Sequence, residues 1–369
     1  RGRRILLGAA APVGALLVSV IITSVLLVTT GHSPADAFGA MVDALERPRI
    51  ILGTINQSAI YYLAAIAVAI GFKMNLFNIG VDGQYRVASF AAAVFAGQNW
   101  LPGWLNITVA IVIAMISGAV WSLIAGLLKV GRGVSEVIST IMLNYIATYL
   151  VAYLLGMAAV KVEGSNATST REIAEGSRVP GISVSWLLDT NRQVYGLIIL
   201  AIVVGILYWF VLSKTRFGFD LRATGESETA AVASGVKVKR MVVLSMVLSG
   251  AVAGLVGMPL LFGQDYAYGD TVQAGLGFAG IAVALLGRNH PIGMAVSALL
   301  WGYLNQLSNG LQISAGVSDR LVLIIQGVIV LSVVIAYELV RRAGRRIEQR
   351  RVASELAAQT VPTVKEVAA

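Results

Sequence analysis

Apolar stretches close to twenty residues long recur along the whole chain, and no other feature narrows its possible folds so far. A helix needs about 20 residues to cross roughly 30 Å of hydrocarbon. Segments 6–29, 51–71, 79–97, 105–128, 135–157, 194–213, 241–262, 272–287, 291–307 and 320–340 reach or approach that length. Charged residues make up 13% of the chain and hydrophobic ones 57%, whereas soluble domains carry about 25% charge. A transmembrane β-barrel would show alternating segments of about ten residues in place of continuous runs. The predicted fold is all-α: a polytopic membrane protein with about ten transmembrane helices.

The basic residues test that count, because cytoplasmic loops carry an excess of Lys and Arg. With ten spans, 19 of them fall on one side, including Lys73, Lys129, Arg132, Arg288 and the Arg341–Arg351 cluster. The other side holds 7: Arg47, Arg49, Lys161, Arg171, Arg178, Arg192 and Arg320. Removing any one span scrambles the pattern. Both termini are therefore expected in the cytoplasm, with residues 1–350 forming one transmembrane domain and 351–369 a flexible cytoplasmic tail. The net charge of +9 follows this topology, so membrane lipid and not nucleic acid is its expected partner. Arg1 to Val28 imitates a signal peptide, but its apolar run is longer than a signal core and reads as a retained first helix.

Two long loops interrupt the apolar pattern. The outer loop, 158–193, is rich in Ser, Thr and Glu, contains a sequon at Asn166–Thr168, and is expected to pack over the outer mouth. The inner loop, 214–240, holds six basic residues, a small-residue run at Thr229–Ala231, and Gly235. Its size and polarity suit contact with something in the aqueous phase.

Several chemistries are excluded by what is missing. There are no cysteines and only two histidines, His32 and His290, so thiolate metal sites, disulfides and histidine-dependent triads have almost nothing to build on. No lysine directly follows a glycine, so the chain lacks a P-loop. No metal or catalytic residue is expected. Gly275–Gly280 matches G-x-G-x-x-G, but it opens a membrane segment and lacks the strand a dinucleotide site requires. Close helix packing or a broken helix explains it better, and Gly250, Gly254 and Gly257 suit the same packing.

Three polar groups inside apolar segments are candidates for the translocation pathway or its gate. Asn78, Asp82 and Arg86 repeat every fourth residue, with Gln84 beside them, and Asp82 precedes Arg86 in the favourable order for an ion pair. This group suits either a conformational latch or substrate contact. Glu136, Thr140, Asn144 and Thr148 form a stripe that suits interhelical hydrogen bonding or pathway lining equally. Asn56, Gln57, Ser58, Tyr61 and Tyr62 suit stacking with a polar ring solute or interfacial anchoring of the tyrosines. Asn305, Gln306, Ser308, Asn309 and Gln312 read as an outer loop. The paired segments 51–97 and 272–307 hint at an internal duplication.

These segments resemble permease subunits of bacterial ATP-binding cassette (ABC) importers for simple sugars, nucleosides and branched-chain amino acids. Phe77–Gln84 (FNIGVDGQ) is similar to the family's FNIGVEGQ, with Asp82 replacing Glu. Ser135–Ala147 resembles its nucleoside-type EVI-TIMLNYIA run, and Leu285–Gly293 its LLGRNNPVG loop. Arg222 to Gly235 resembles the segment that couples such permeases to their ATPase, with Glu226 where Asn is usual. The resemblance implies coupling through Arg222, Gly225, Glu226, Thr229, Ala230, Ala231 and Gly235, with a short helix from about Ser227 to Ala233. It implies a chain in the bacterial cytoplasmic (inner) membrane that binds no cofactor, while partner subunits use ATP and Mg. The implied partners are two nucleotide-binding domains, a second permease (related or identical) and an extracytoplasmic substrate-binding protein. The implied cargo is a nucleoside of purine type, with a simple sugar as the alternative. An ion-coupled transporter is the competing class, and it would need ionisable groups at mid-membrane.

Overall fold

The computed structural model describes residues 2–161, 168–188, 190–269, 272–315, 318, 320–333, 335, 336, 339, 342 and 349. Asn166 and Ala167 of the sequon and the tail from 351 onward lie outside them. The chain opens with α1 (Gly2–Thr29) and α2 (Pro34–Ala44), then α3 (Pro48–Phe72) and α4 (Val81–Gly97). The long helices α5 (Gly103–Arg132) and α6 (Glu136–Ala158) follow. α7 (Ile198–Lys214) turns through 73° into α8 (Arg216–Glu226). Next come α9 (Glu228–Ala233), α10 (Val238–Gly254) and the short α11 (Met258–Leu260), which runs into a π-helical turn over Leu261–Asp265. α12 (Leu276–Leu286) and α13 (Pro291–Ala315) complete the named helices. Residues 1–40 with 311–369 form one compact unit and 41–310 another. Every site below lies in the second.

α3 is the axis of that unit. It begins with Pro48 in the first turn, where the missing N–H costs nothing. From Leu63 to Ala69 every side chain is sealed from solvent, which only small and aliphatic residues allow at such close quarters. α4, α10 and α12 pack around it. α5 lies outside, with a buried stripe of Asn106, Ala110, Ala114, Gly118 and Ser122 at every fourth residue. Its opposite face exposes Val112, Ile116, Val120 and Ile124, as a helix bordering acyl chains should.

In a bilayer, helices associate through close packing and polar contacts because hydrocarbon offers no water to escape. The α5–α10 crossing shows this directly. A Cβ on Gly118 would lie 2.3 Å from the carbonyl oxygen of Gly250, and one on Gly254 would lie 2.2 Å from that of Ala114. Ser122 adds a hydrogen bond to the Met246 carbonyl at 2.7 Å. The Gly275–Gly280 motif has the same purpose: Gly277 abuts the backbone of Asp82, and Gly280 abuts Ala64 of α3.

Four helical stretches among the described residues are long and apolar enough to cross a membrane: Pro48–Phe72, Gly103–Arg132, Glu136–Ala158 and Val238–Asp265. The bent α7–α8 pair makes a fifth. Three expectations change. The segment 272–287 contracts to the 11 residues of α12, about 16 Å of helix, well short of a full crossing. The polar cluster at Asn305–Gln312 is not a loop but part of α13. The outer loop departs from all-α character with two minimal antiparallel ladders, β1 (Val160–Lys161) with β2 (Thr168–Ser169), and β3 (Ile182–Ser183) with β4 (Gln193–Val194).

Candidate functional site

The FNIGVDGQ segment builds a buried knot at the C-terminal end of α3. Asn78 is wholly buried and Gln84 nearly so, and their amides pair reciprocally. Asn78 Nδ2 donates to Gln84 Oε1 at 3.0 Å, and Gln84 Nε2 donates to Asn78 Oδ1 at 2.9 Å. Asn78 also donates to Ser249 Oγ of α10 at 2.7 Å, and Ser249 in turn donates to the Ala67 carbonyl of α3 at 2.5 Å. The Gly80 N–H closes the loop onto Asn78 Oδ1 at 3.0 Å. One amide thus joins α3, α4, α10 and the turn between α3 and α4. Buried polar groups tie elements together in this way when every partner is supplied.

The α6 stripe belongs to the same assembly. Asn144 accepts from the Gly83 N–H at 2.8 Å and donates to the Ile79 carbonyl at 2.9 Å, satisfying groups that the start of α4 leaves open. Glu136 pairs with Lys129 at 2.5 Å and accepts from the Phe77 N–H at 3.4 Å. Thr140 and Thr148 bond to carbonyls of their own helix, at Glu136 and Asn144. Glu136 and Asn144 therefore bond outside α6, whereas Thr140 and Thr148 do not. Asp82 and Arg86 form the expected ion pair at 3.2 Å, both largely buried.

A different environment lies at the N-terminal end of α3. A cavity of about 650 Å3 is lined by Asn56, Gln57, Arg178, Gln193, Tyr195, Gln264, Tyr266, Gln273 and Gln306, among others. Its walls are rich in neutral amides. Arg178 is engaged by Glu172 at 2.6 Å and lies over the Tyr266 ring at 4.2 Å. The Tyr195 hydroxyl donates to Gln264 at 2.5 Å, and burial, followed by nearby Asp265, raises its pKa to about 12, so it remains a neutral donor. Asn56 spends its amide on the outer loop, donating to the Gln193 carbonyl at 3.1 Å and accepting from the Tyr195 N–H at 2.8 Å.

The tyrosines of the third cluster separate from that cavity. Tyr61 is buried in the core. Tyr62 lines a second cavity, about 570 Å3 and apolar, with Ile202, Gly205 and Trp209 of α7. Sequence reasoning missed Gln273, Ser249 and Tyr85. The available signal was a polar residue in a segment otherwise apolar or glycine-rich.

The segment after α7 forms a separate surface. Ser227 caps α9 by accepting from the Ala230 N–H at 3.3 Å, as a helix start favours. Gly235, at φ +83°, lets the Val236 N–H return to the Ala231 carbonyl at 3.0 Å, a left-handed C-terminal cap. Arg222, Glu226, Thr229 and Ala230 are exposed, but Ala231 is buried. α8 rests on the end of α3, since a Cβ on Gly225 would lie 2.4 Å from the Lys73 carbonyl. Burial, then Arg222 and Arg288, lower the pKa of Lys73 there.

A helical core sealed around α3, helices with apolar outer faces and a polar cavity at one end fit a multi-pass membrane protein. The chain belongs to the family described as branched-chain amino acid transport system / permease component, which it matches over residues 50–334. It is 33% identical to the guanosine ABC transporter permease protein NupP of Bacillus subtilis (strain 168), over 88% of this chain and 93% of that one. It is 30% identical to the nucleoside ABC transporter permease protein NupB of Lactococcus lactis subsp. cremoris, over 88% and 90%. It is 27% identical to the glucose ABC transporter permease protein TsgB13 of Haloferax volcanii, over 87% and 85%. The chain is therefore an ABC permease subunit and not an enzyme, and ATP is hydrolysed by separate ATPase subunits.

Proposed function

We propose that the chain forms the import pathway for nucleosides, purine nucleosides first, across the bacterial cytoplasmic (inner) membrane. The observation that carries this reading is the likeness to guanosine and nucleoside permeases across nearly the full chain. The amide-rich cavity at the N-terminal end of α3 supports it, because neutral donors and acceptors suit an uncharged heterocycle with its ribose. A simple sugar is the second reading, favoured by the likeness to a glucose permease.

In this reading residues 1–350 form one transmembrane domain with both termini cytoplasmic, and α12, too short to cross, enters the membrane without spanning it. The polar cavity faces outward to receive cargo from a substrate-binding protein. The exposed Arg222, Glu226, Thr229 and Ala230 meet one of two nucleotide-binding domains, and a second permease, related or identical, completes the pathway. ATP and Mg belong to the partners, and this chain binds no cofactor.

The test is reconstitution with the candidate ATPase and binding protein, followed by uptake of labelled guanosine, adenosine, ribose and glucose with and without ATP. ATP-dependent nucleoside uptake is expected. ATP-dependent sugar uptake that ignores nucleosides would replace the cargo, and uptake by the chain alone along an ion gradient would overturn the coupling.

A further inference from the structure

We infer that the Gln57–Gln273 amide pair is both the gate at the base of the polar cavity and the element that recognises cargo by a planar edge with one donor beside one acceptor. The inference rests on the cavity being the cargo path proposed above.

The pair is reciprocal. Gln57 Nε2 donates to Gln273 Oε1 at 2.7 Å, and Gln273 Nε2 donates to Gln57 Oε1 at 3.3 Å. Both residues line the wide cavity. Gln273 also lines a small enclosure of about 20 Å3 with Ile60, Tyr85, Ser89 and Tyr268, so it stands between the two spaces. The Tyr85 hydroxyl donates to the Gln273 backbone carbonyl and steadies that side. One turn along α3 from Gln57, Ile60 is wholly buried, and the sealed stretch Leu63–Ala69 follows. Gln57 is the last residue of α3 to line the wide cavity.

A second observation lies just past it. Ser89, 4% exposed, lines the small enclosure with a hydroxyl that has no hydrogen-bond partner among the described residues. An unmet buried hydroxyl is costly, and here it gives a polar foothold where the path would continue.

Two facing amides satisfy one another only while they touch. Parting them leaves the amide of Gln57, which is 6% exposed, short of partners, while only the half-buried Gln273 can turn to the cavity, and this holds the gate shut. A ligand edge carrying a fixed donor next to a fixed acceptor can replace one amide with the other and lower that barrier. Nucleobase lactam and amino–ring-nitrogen edges have this form. A hexose offers rotatable hydroxyls with no fixed planar edge.

The chain's lack of cysteine makes Ile60→Cys the one thiol this chain carries into the assembled transporter, and labelling is read on this chain alone. The probe is a small charged methanethiosulfonate applied to either face of membrane vesicles. Modification should be slow in the Ile60→Cys parent. It should quicken about tenfold or more with Gln57→Ala or Gln273→Ala, the factor expected for losing two ordinary hydrogen bonds. The double variant Gln57→Leu/Gln273→Leu restores a dry contact of similar volume, so modification stays slow while guanosine uptake is lost. Equal rates in parent and alanine variants, or a fast parent, would overturn the gate. Parental guanosine uptake in the double-leucine variant would overturn the recognition. Modification does not depend on cargo identity. A parent that imports only glucose therefore removes the nucleoside reading and the recognition with it, while a tenfold change in modification still upholds the gate.

Discussion

The two ends of α3 carry the same chemical device in opposite surroundings. At the C-terminal end Asn78 and Gln84 pair their amides inside a sealed core, and Ser249 extends the bonding to Ala67. At the N-terminal end Gln57 and Gln273 pair beside a cavity of about 650 Å3. An amide pair is worth little in net stability but costs a great deal to leave unmet in a dry site. The sealed pair is therefore a fixed joint between helices. The pair at the cavity can exchange partners with whatever enters. Burial, more than residue type, separates scaffold from working part in this molecule.

The largest expected effect comes from breaking the sealed joint. Asn78→Leu strands Gln84, Ser249 and the Gly80 N–H together, at about 1–3 kcal/mol for each unmet group. Denaturant unfolding of the solubilised chain should lose at least about 3 kcal/mol. Gln57→Leu should lose about 1 kcal/mol, because water in the cavity can solvate Gln273. If the two variants lose the same amount, burial does not distinguish the pairs.

Backbone contact gives the next effect. Gly118→Ala places a Cβ 2.3 Å from the Gly250 carbonyl oxygen, and such overpacking costs about 1–3 kcal/mol. Gly131→Ala lies on the same helix, and among the described residues nothing comes within 4 Å of its Cβ. It should be neutral or stabilise by up to about 1 kcal/mol. A smaller loss follows Glu136→Gln, which removes the Lys129 ion pair. Lys129 is 29% exposed, so solvent screening keeps the cost near 1 kcal/mol, with less difference from wild type in high salt. A loss that high salt leaves unchanged would show that the pair adds nothing electrostatic.

Much of the joint was legible in the chain and little of the gate. The four-residue spacing placed Asp82 and Arg86 on one face of α4, where they pair, but Asn78 lies in the turn before α4 and reaches Gln84 and Ser249 instead of sharing that face. Asn144 was visible as a polar residue in an apolar helix, but its role emerged only when Gly83 and Ile79 came into reach. Gln57 stood out for the same reason. Its partner lies 216 residues away, and helical periodicity carries no information over that distance. Tyr62 shows the limit of neighbour logic, since residues five apart on a helix point about 140° away from each other. Tyr62 lines the apolar cavity while Gln57 lines the polar one.

Exposure also decides the smallest stability effects, on α8 and α9. The run Thr229–Ala230–Ala231 suggested a docking helix, but six residues are too few for periodicity to show which side faces the partner. Ala231 is 2% exposed, so Ala231→Trp disrupts packing and cannot isolate docking. Arg222→Glu and Ala230→Trp act on exposed positions and should change unfolding stability by no more than about 0.5 kcal/mol. If this face meets the ATPase, both variants should reduce ATPase co-purification and ATP-driven uptake while the unfolding curve stays in place. A bulky residue at Ala230 obstructs a close contact, and a carboxylate at position 222 reverses a charge beside Lys73. Undiminished co-purification in both, with Ala231→Trp alone impaired, would make α9 a packing element and move the coupling contact elsewhere on the loop.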